Sequence, residues 1–271
     1  MQRLLSTFAL PVLLISLAGC GHLTSTATYQ RFFGPSLLRV GMVADAPPLA
    51  YKKNSALTGL ETQFAAGLAT ATGRQLELVE LPAAELAPAL LAGRIDIVMA
   101  GLTVRAIEQE QLVATAPYLR SGVVALVRLD KHKELGTGGA QSLTAGGVRL
   151  GMVAGTGGEN FVSGLKKKGK NNRFLTTEAA VRALVANAVD VLVLDLPISL
   201  HYASLHVDQG LTPGTTLMTT EQLAWAVRPD DLKMRKAADH YLQTIRKNGE
   251  LQGLFERFVP FYTSSDYSPQ H

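Results

Sequence analysis

Few stretches of this chain carry residue types whose spacing could do chemistry. The first is Gly101-Leu102-Thr103, which follows the apolar run from Ile95 to Ala100. A glycine at the C-terminal end of a buried strand lets backbone come close to a ligand. The second is Asp195, in Leu194-Asp195-Leu196-Pro197, again behind an apolar run. A carboxylate there could serve as a general base, but the sequence supplies no partner for it, so binding or helix capping is the expected use. The third is Gly155-Thr156-Gly157-Gly158-Glu159. It lacks the G-K-[ST] ending of a phosphate loop, which argues against a nucleotide. A glycine-rich turn before a helix still offers backbone N–H groups to an anion such as a carboxylate. The histidines (His22, His132, His201, His206, His240 and His271) fit no metal-binding spacing, and His201 and His206 read as surface residues of a helix. No nucleophile elbow and no zinc-deaminase pattern occurs. Neither a metal nor a cofactor is expected.

Gly101 and Asp195 are corresponding members of an internal repeat. The segment from Ala89 to Ile97 matches that from Ala183 to Val191 at an offset of 94 residues. A second match, Arg39 to Ala44 with Arg149 to Ala154, has an offset of 110. A repeat this long implies two similar α/β lobes rather than a solenoid. In open α/β sheets ligands sit at the C-terminal ends of the strands, so Gly101 and Asp195 are expected to face one cleft.

Periodicity places strands at 38–43, 75–81, 95–100, 123–127, 148–153, 189–194 and 223–227. Helices are expected at 60–72, 86–91, 178–186, 198–205, 232–247 and 251–258, with a looser one at 107–113. The polar, glycine-rich stretch 130–147 reads as a boundary between lobes, 155–159 as a loop and 263–271 as a loose tail. The expected division is a first lobe of 37–124 and 226–271 and a second of 125–225.

The 271 residues, 47% hydrophobic and 18% charged, can bury a core without staples. A net charge of +4 is mild, and the basic run Lys166-Lys167-Lys168 with Lys170 sits among glycine and asparagine, so it reads as solvated and no nucleic-acid partner is expected. At the N-terminus, Arg3 precedes an apolar stretch, 4–17, too short to span a bilayer. It ends in Leu17-Ala18-Gly19-Cys20, which resembles the lipobox of bacterial lipoproteins. That resemblance implies a signal peptide over 1–19 and lipidation of Cys20, the sole cysteine. Residues 20–36 would be a tether, and the protein would sit in the periplasm or at the cell surface, held to a membrane.

From about Leu38 to Tyr262 the chain resembles the bacterial extracellular solute-binding proteins of the amino-acid-binding class, family 3. The marks are Leu38-Arg39-Val40-Gly41, Pro48 before Tyr51, Gly59-Leu60-Glu61, the run from Pro88 to Asp96, and Ala100-Gly101-Leu102-Thr103. Pro117-Tyr118, the 155–159 loop and Asp195-Leu196-Pro197 follow in order. The resemblance implies a type II periplasmic-binding-protein fold, α/β, with a ligand cleft between its lobes. Two hinge strands would join them, near 123–127 and 223–227, and the C-terminal segment would pack back on the first lobe. By matched position, the Gly101 carbonyl, Thr103 and Asp195 would hold an α-ammonium. N–H groups of Thr103 and Gly157, with Thr156, would hold an α-carboxylate. The family's clamp arginine is replaced by Glu108, with Arg105 nearby at a different spacing. The usual aromatic positions hold Ala46 and Ala83, and Asp45 sits in the first ligand loop. Asp45 and Glu108, if both face the cleft, would favour a cationic or amine-bearing ligand.

The implied protein is a monomeric, non-enzymatic, lipid-anchored binder of an amino-acid-like molecule, serving an ABC permease. Two alternatives remain open. One is a ligand sensor, since the segments around Pro48 to Tyr51 and Gly59 to Glu61 also resemble the N-terminal domain of membrane-bound lytic transglycosylase F. The other is an enzyme like cyclohexadienyl dehydratase, against which Glu108 argues.

Overall fold

The computed structural model describes residues 36–166 and 171–259. Cys20, the tether, most of the lysine run and the 263–271 tail lie outside the described residues.

The chain opens with β1 (Leu37–Met42), then a small antiparallel sheet of β2 (Asp45–Ala46), β3 (Ala50–Lys53) and β4 (Ala56–Thr58). Helix α1 (Leu60–Thr72) buries Leu60, Phe64 and Leu68, the residues at helical spacing, and stops at left-handed Gly73. There follow β5 (Gln75–Glu80), α2 (Ala83–Leu91), β6 (Ile97–Val98), α3 (Val104–Gln109) and β7 (Val113–Ala114). The helix expected over 107–113 is thus misplaced. The Thr103 hydroxyl accepts from the Ala106 N–H at 3.1 Å and starts it earlier, and Gln111, at φ 58°, turns the chain into a strand.

Next come β8 (Leu119–Ser121), β9 (Val123–Arg128), α4 (Gly139–Leu143), β10 (Leu150–Val153), α5 (Gly157–Gly164), β11 (Asn172–Phe174), α6 (Thr177–Val185) and β12 (Val191–Asp195). The chain ends through α7 (Leu196–Leu205), β13 (Leu211–Pro213), β14 (Glu221–Leu223), β15 (Ala226–Val227), α8 (Leu232–Lys247) and α9 (Glu250–Phe258). Two expectations fail here. The 130–147 stretch is no interlobe boundary, because Leu135 and Leu143 bury themselves beside Val123, Val127 and Leu150 in the second core. The 155–159 loop already contains the first turn of α5.

Two five-stranded sheets result, in the orders β5-β1-β6-β15-β7 and β11-β10-β12-β9-β13. They share one plan. The second strand is parallel to both neighbours (Val40 opposite Leu78 and Ile97; Gly151 opposite Asn172 and Leu192), and each of the last two strands runs antiparallel to the one before it. In each sheet the fourth strand is reached by a crossing from the other lobe. The crossings are β8 and β14, paired antiparallel with Ser121 opposite Glu221 and Leu119 opposite Leu223. They therefore precede the stretches expected to be hinges, since β9 lies inside the second sheet and β15 inside the first. Helices α8 and α9 pack Met234, Leu242, Leu251 and Phe255 into the first lobe's core, around Phe64 and Trp225.

Candidate functional site

Because both sheets are built alike and face each other, the C-terminal ends of their parallel strands meet across one open cleft of about 1180 Å³. Strand β2, which follows β1, brings Asp45, and the loop after β6 brings Gly101 and Thr103. From the second lobe come Thr156 and Gly157 after β10, Thr176 and Glu178 after β11, and Asp195 at the end of β12. Arg105, from the first turn of α3, also lines the cleft. So Asp45, Gly101, Thr103, Arg105, Thr156, Gly157 and Asp195, scattered over 150 positions of sequence, share one cavity.

Of the helices that start at the cleft, α3, α5 and α6 are each capped by a threonine hydroxyl. Thr103 accepts from Ala106 N–H, Thr156 from Glu159 N–H (3.3 Å) and Thr176 from Ala179 N–H (3.2 Å). Thr156 also donates to the Val153 carbonyl at 2.7 Å. Gly101 holds φ +65°, and a Cβ there would lie 2.4 Å from the Leu49 side chain. Only glycine allows this close turn against the cleft floor.

Asp195 is the electrostatic centre. It is partly buried, and that burial, together with the negative charge of Glu221, pushes its carboxyl up to about 6; a hydrogen bond from the Gly157 N–H works the other way. The Gly157 N–H, expected to serve a ligand's carboxylate, is thus directed at Asp195. A Cβ on Gly157 would come within 2.4 Å of Asp195 Oδ1, so this approach also requires glycine. Glu178 behaves oppositely. Burial would raise it, but backbone and the Tyr202 hydroxyl, donating at 2.8 Å, hold it below its ordinary value.

Glu108 is exposed and does not line the cleft, so its expected share in ligand recognition is lost. The Thr103 cap orients α3 so that Arg105, Ala106 and Gln109 face inward instead. Ala46 and Ala83 do line it, leaving room where aromatic rings were missing. The rings are supplied elsewhere. Tyr51 of β3 meets His201 of α7 across the cleft, centroids 5.8 Å apart. His201 is therefore not the surface residue expected; it is half-buried, and burial lowers its pKa. Spacing could have found it, because Ile198, His201 and Tyr202 follow Asp195 at helical intervals and all line the cleft. Glu221, on the interlobe ribbon, left no such signal. Among the described residues no group of three or more potential metal ligands occurs, and no helix is long and apolar enough to cross a membrane.

A pair of like-built α/β lobes, joined by two crossing strands around a polar cleft, defines the type II periplasmic-binding-protein fold. The chain belongs to the bacterial extracellular solute-binding proteins, family 3, whose family model matches residues 38–261. It is similar to the probable amino-acid-binding protein YxeM of Bacillus subtilis, 24% identical over 259 residues and 91% of each chain. Among solved structures it resembles an ancestral cationic amino acid solute-binding protein at TM-score 0.75 and 27% identity, covering 83% of this chain and 96% of that one. A binding component of an ABC transporter from Wolinella succinogenes, complexed with lysine, matches at TM-score 0.74 and 26% identity, with coverage of 83% and 96%.

Proposed function

We propose that this protein is a membrane-anchored, extracytoplasmic binder of a cationic amino acid, delivering it to an ABC importer. The carrying observation is the charge of the cleft. Asp45, Glu178, Asp195 and Glu221 line it against Arg105 and Lys52, and Lys52 is already paired with Glu80 at 2.8 Å. A low-dielectric cleft with surplus carboxylates concentrates cations. One positive charge is the α-ammonium, held by Asp195 and the Gly101 carbonyl. Arg105, with N–H groups at the start of α3, takes the α-carboxylate, since the Gly157 N–H is directed at Asp195. The second cation, on the side chain, falls to Asp45 and Glu221. The similarity to a cationic amino acid binder and to a lysine complex supports the same ligand class. As a binder the protein needs only capture and closure, with no proton transfer to or from the ligand.

Calorimetry of ligand-stripped protein tests this. L-lysine and L-arginine should bind well and L-glutamine less well; no heat with either cation would sink the reading. Glu221→Gln should weaken L-lysine by about tenfold while changing L-glutamine little, since one charge pair across a cleft contributes on the order of 1–2 kcal/mol. Equal losses for both ligands would remove Glu221 from recognition. For the anchor, Cys20→Ser should move the protein from membrane to soluble fractions, because a protein without its acyl chains has nothing to hold it to the bilayer. Unchanged membrane partition would refute lipidation.

A further inference from the structure

One buried charge has no part in the cleft chemistry described above. Glu61, in the first turn of α1, is fully buried. Its Oε1 accepts from the Gly101 N–H at 3.0 Å and from the Tyr118 hydroxyl at 2.5 Å. Its Oε2 accepts from the Trp225 indole N–H at 2.9 Å. These three donors are not equivalent parts of a core. Gly101 is the ligand loop, Tyr118 immediately precedes the crossing strand β8, and Trp225 lies just beyond the crossing strand β14.

Backbone contacts join the same parts. Tyr118 N–H donates to the Leu223 carbonyl at 2.9 Å, and Ala224 N–H to the Leu102 carbonyl at 3.0 Å. Thr103 and Leu223 form a further antiparallel bridge. The rings of Tyr118 and Trp225 lie 5.8 Å apart, with Phe64 of α1 packed on both. The Glu61 carboxylate thus sits where the ligand loop and both interlobe strands meet, on the first lobe's side.

We propose that Glu61 is a positioning residue that makes the ligand loop at Gly101 and the two crossing strands move as one unit, coupling ligand capture to the twist that closes the lobes. This rests on the cleft being the ligand site. A carboxylate with three donors aimed at it holds them most strongly while it is ionised. Protonation places an O–H donor among three donors and weakens at least one of these bonds. The groups facing Glu61 are Tyr118, Trp225 and the Gly101 amide, with Tyr241 stacked on Trp225. No Arg, Lys or His acts on it among the described residues, and burial pushes its carboxyl up to about 7.

Trp225 is the chain's sole tryptophan, so its emission reports on this junction directly. In the full ligand-free protein, Trp225 emission should step near about pH 7, and Glu61→Gln should abolish the step. Tyr118→Phe removes a bond that favours the ionised form, so the step should move to higher pH. A merely structural Glu61 would give the same emission step, because Trp225 bonds it directly, but the folded variant would then keep its amino-acid affinity at about pH 8 and lose only melting temperature. With L-lysine and L-arginine as probes at about pH 8, Glu61→Gln should bind about tenfold or more weakly, the size expected of a site coupled through one element. Asp195, raised to about 6, titrates close to this window, so each step is compared between wild type and variant, and affinities are compared at one pH.

A step that persists in Glu61→Gln, a Tyr118→Phe step unmoved or moved to lower pH, or affinities within about twofold of wild type overturns the proposal. Should neither amino acid bind the wild type, the cleft reading fails on its own, and the emission steps still decide the role of Glu61. Should Glu61→Gln not fold, Tyr118→Phe, which removes one of the three donors, should still weaken both amino acids at about pH 8, and unchanged affinity would overturn the proposal.

Discussion

Asp195→Asn will weaken binding of L-lysine by about 100-fold while leaving the ligand-free protein at least as stable at about pH 8. The binding loss follows from removing one partner of a desolvated charge pair, which costs about 2–5 kcal/mol. The stability gain follows from linkage. The Asp195 carboxyl is raised to about 6 in the folded chain by burial and by Glu221. The folded protein therefore keeps that proton at pH values where the unfolded chain has released it. The stability this gives is complete below the ordinary carboxylate value, and it is lost as pH rises through about 6. A rise of this size corresponds to about 3 kcal/mol, and partial solvent access reduces this to about 1–2 kcal/mol. Asparagine never ionises, and its oxygen still accepts from the Gly157 N–H. Melting curves from about pH 4 to 8 should therefore be flatter for the variant and cross above wild type near neutrality. An ammonium ligand reverses the balance, so wild-type affinity should rise with pH through about 6. An Asn variant that binds within a few-fold of wild type, or melts lower at pH 8, would show that Asp195 is structural. Sites that hold charge at a cost in stability are where function and folding compete.

What could be read in the sequence and what could not divide along a physical line. Local rules were legible. Helix α1 begins and ends where its apolar spacing and Gly73 dictate, and α8 carries its stripe from Met234 to Ile245 between a capping Asp231 and Asn248. Gly101 and Asp195 were legible because a residue's place at a strand's end is a local property, and the repeat supplied the second copy. Contacts made between lobes left no local trace. Tyr51 and His201, 150 positions apart, meet only because the lobes do. Glu221 reaches the cleft through strand pairing with Ser121. The first turn of α5 was hidden because two glycines are poor helix formers, yet a Cβ on Gly158 would lie 2.1 Å from the Val193 carbonyl, so packing overrules propensity.

One part of the repeat was invisible for a topological reason. Arg228 donates to the carbonyls of Leu90 (3.4 Å) and Ile95 (3.0 Å); Arg128 donates to those of Leu184 (2.8 Å) and Val189 (3.0 Å). The acceptors keep the 94-residue offset, but the donors appear in reverse order along the chain, because each comes from the strand exchanged between lobes. A linear alignment at one fixed offset cannot pair them. Exchanged strands also mean that neither lobe completes its sheet without chain that has already visited the other.

The duplicated clasp at the head of each lobe makes the second large effect, and an unequal one. Asp96→Asn should destabilise the protein by about 2–4 kcal/mol in urea unfolding, and Asp190→Asn by clearly less. Both aspartates accept from the backbone N–H of an arginine near the start of the second strand, Arg39 of β1 at 2.9 Å and Arg149 before β10 at 2.8 Å, and both take that arginine's guanidinium. Their surroundings differ. Asp96 also receives Arg74 at 2.9 Å, and its side chain is 10% exposed, while Arg39 and Arg74 are 35% and 24% exposed. Arg149 is 45% exposed, and the second cation on Asp190, Arg128, stands 3.9 Å away. Burial alone would raise the Asp96 carboxyl, but Arg39 and Arg74 together hold it below its ordinary value. Its contribution is thus present above the ordinary carboxylate range and lost as pH falls through the lower folded value, the opposite sense to Asp195. Asparagine keeps the shape but offers an NH₂ where two guanidinium groups need an acceptor, leaving half-buried cations unpaired. The Asp190 variant leaves an arginine, Arg149, that is more exposed and still bonded to the Asn187 carbonyl at 2.6 Å and to the Asn187 side chain at 2.8 Å, so less is lost. Equal losses for the two variants would mean that solvent screens both clasps alike and that the repeat carries no energetic asymmetry between lobes.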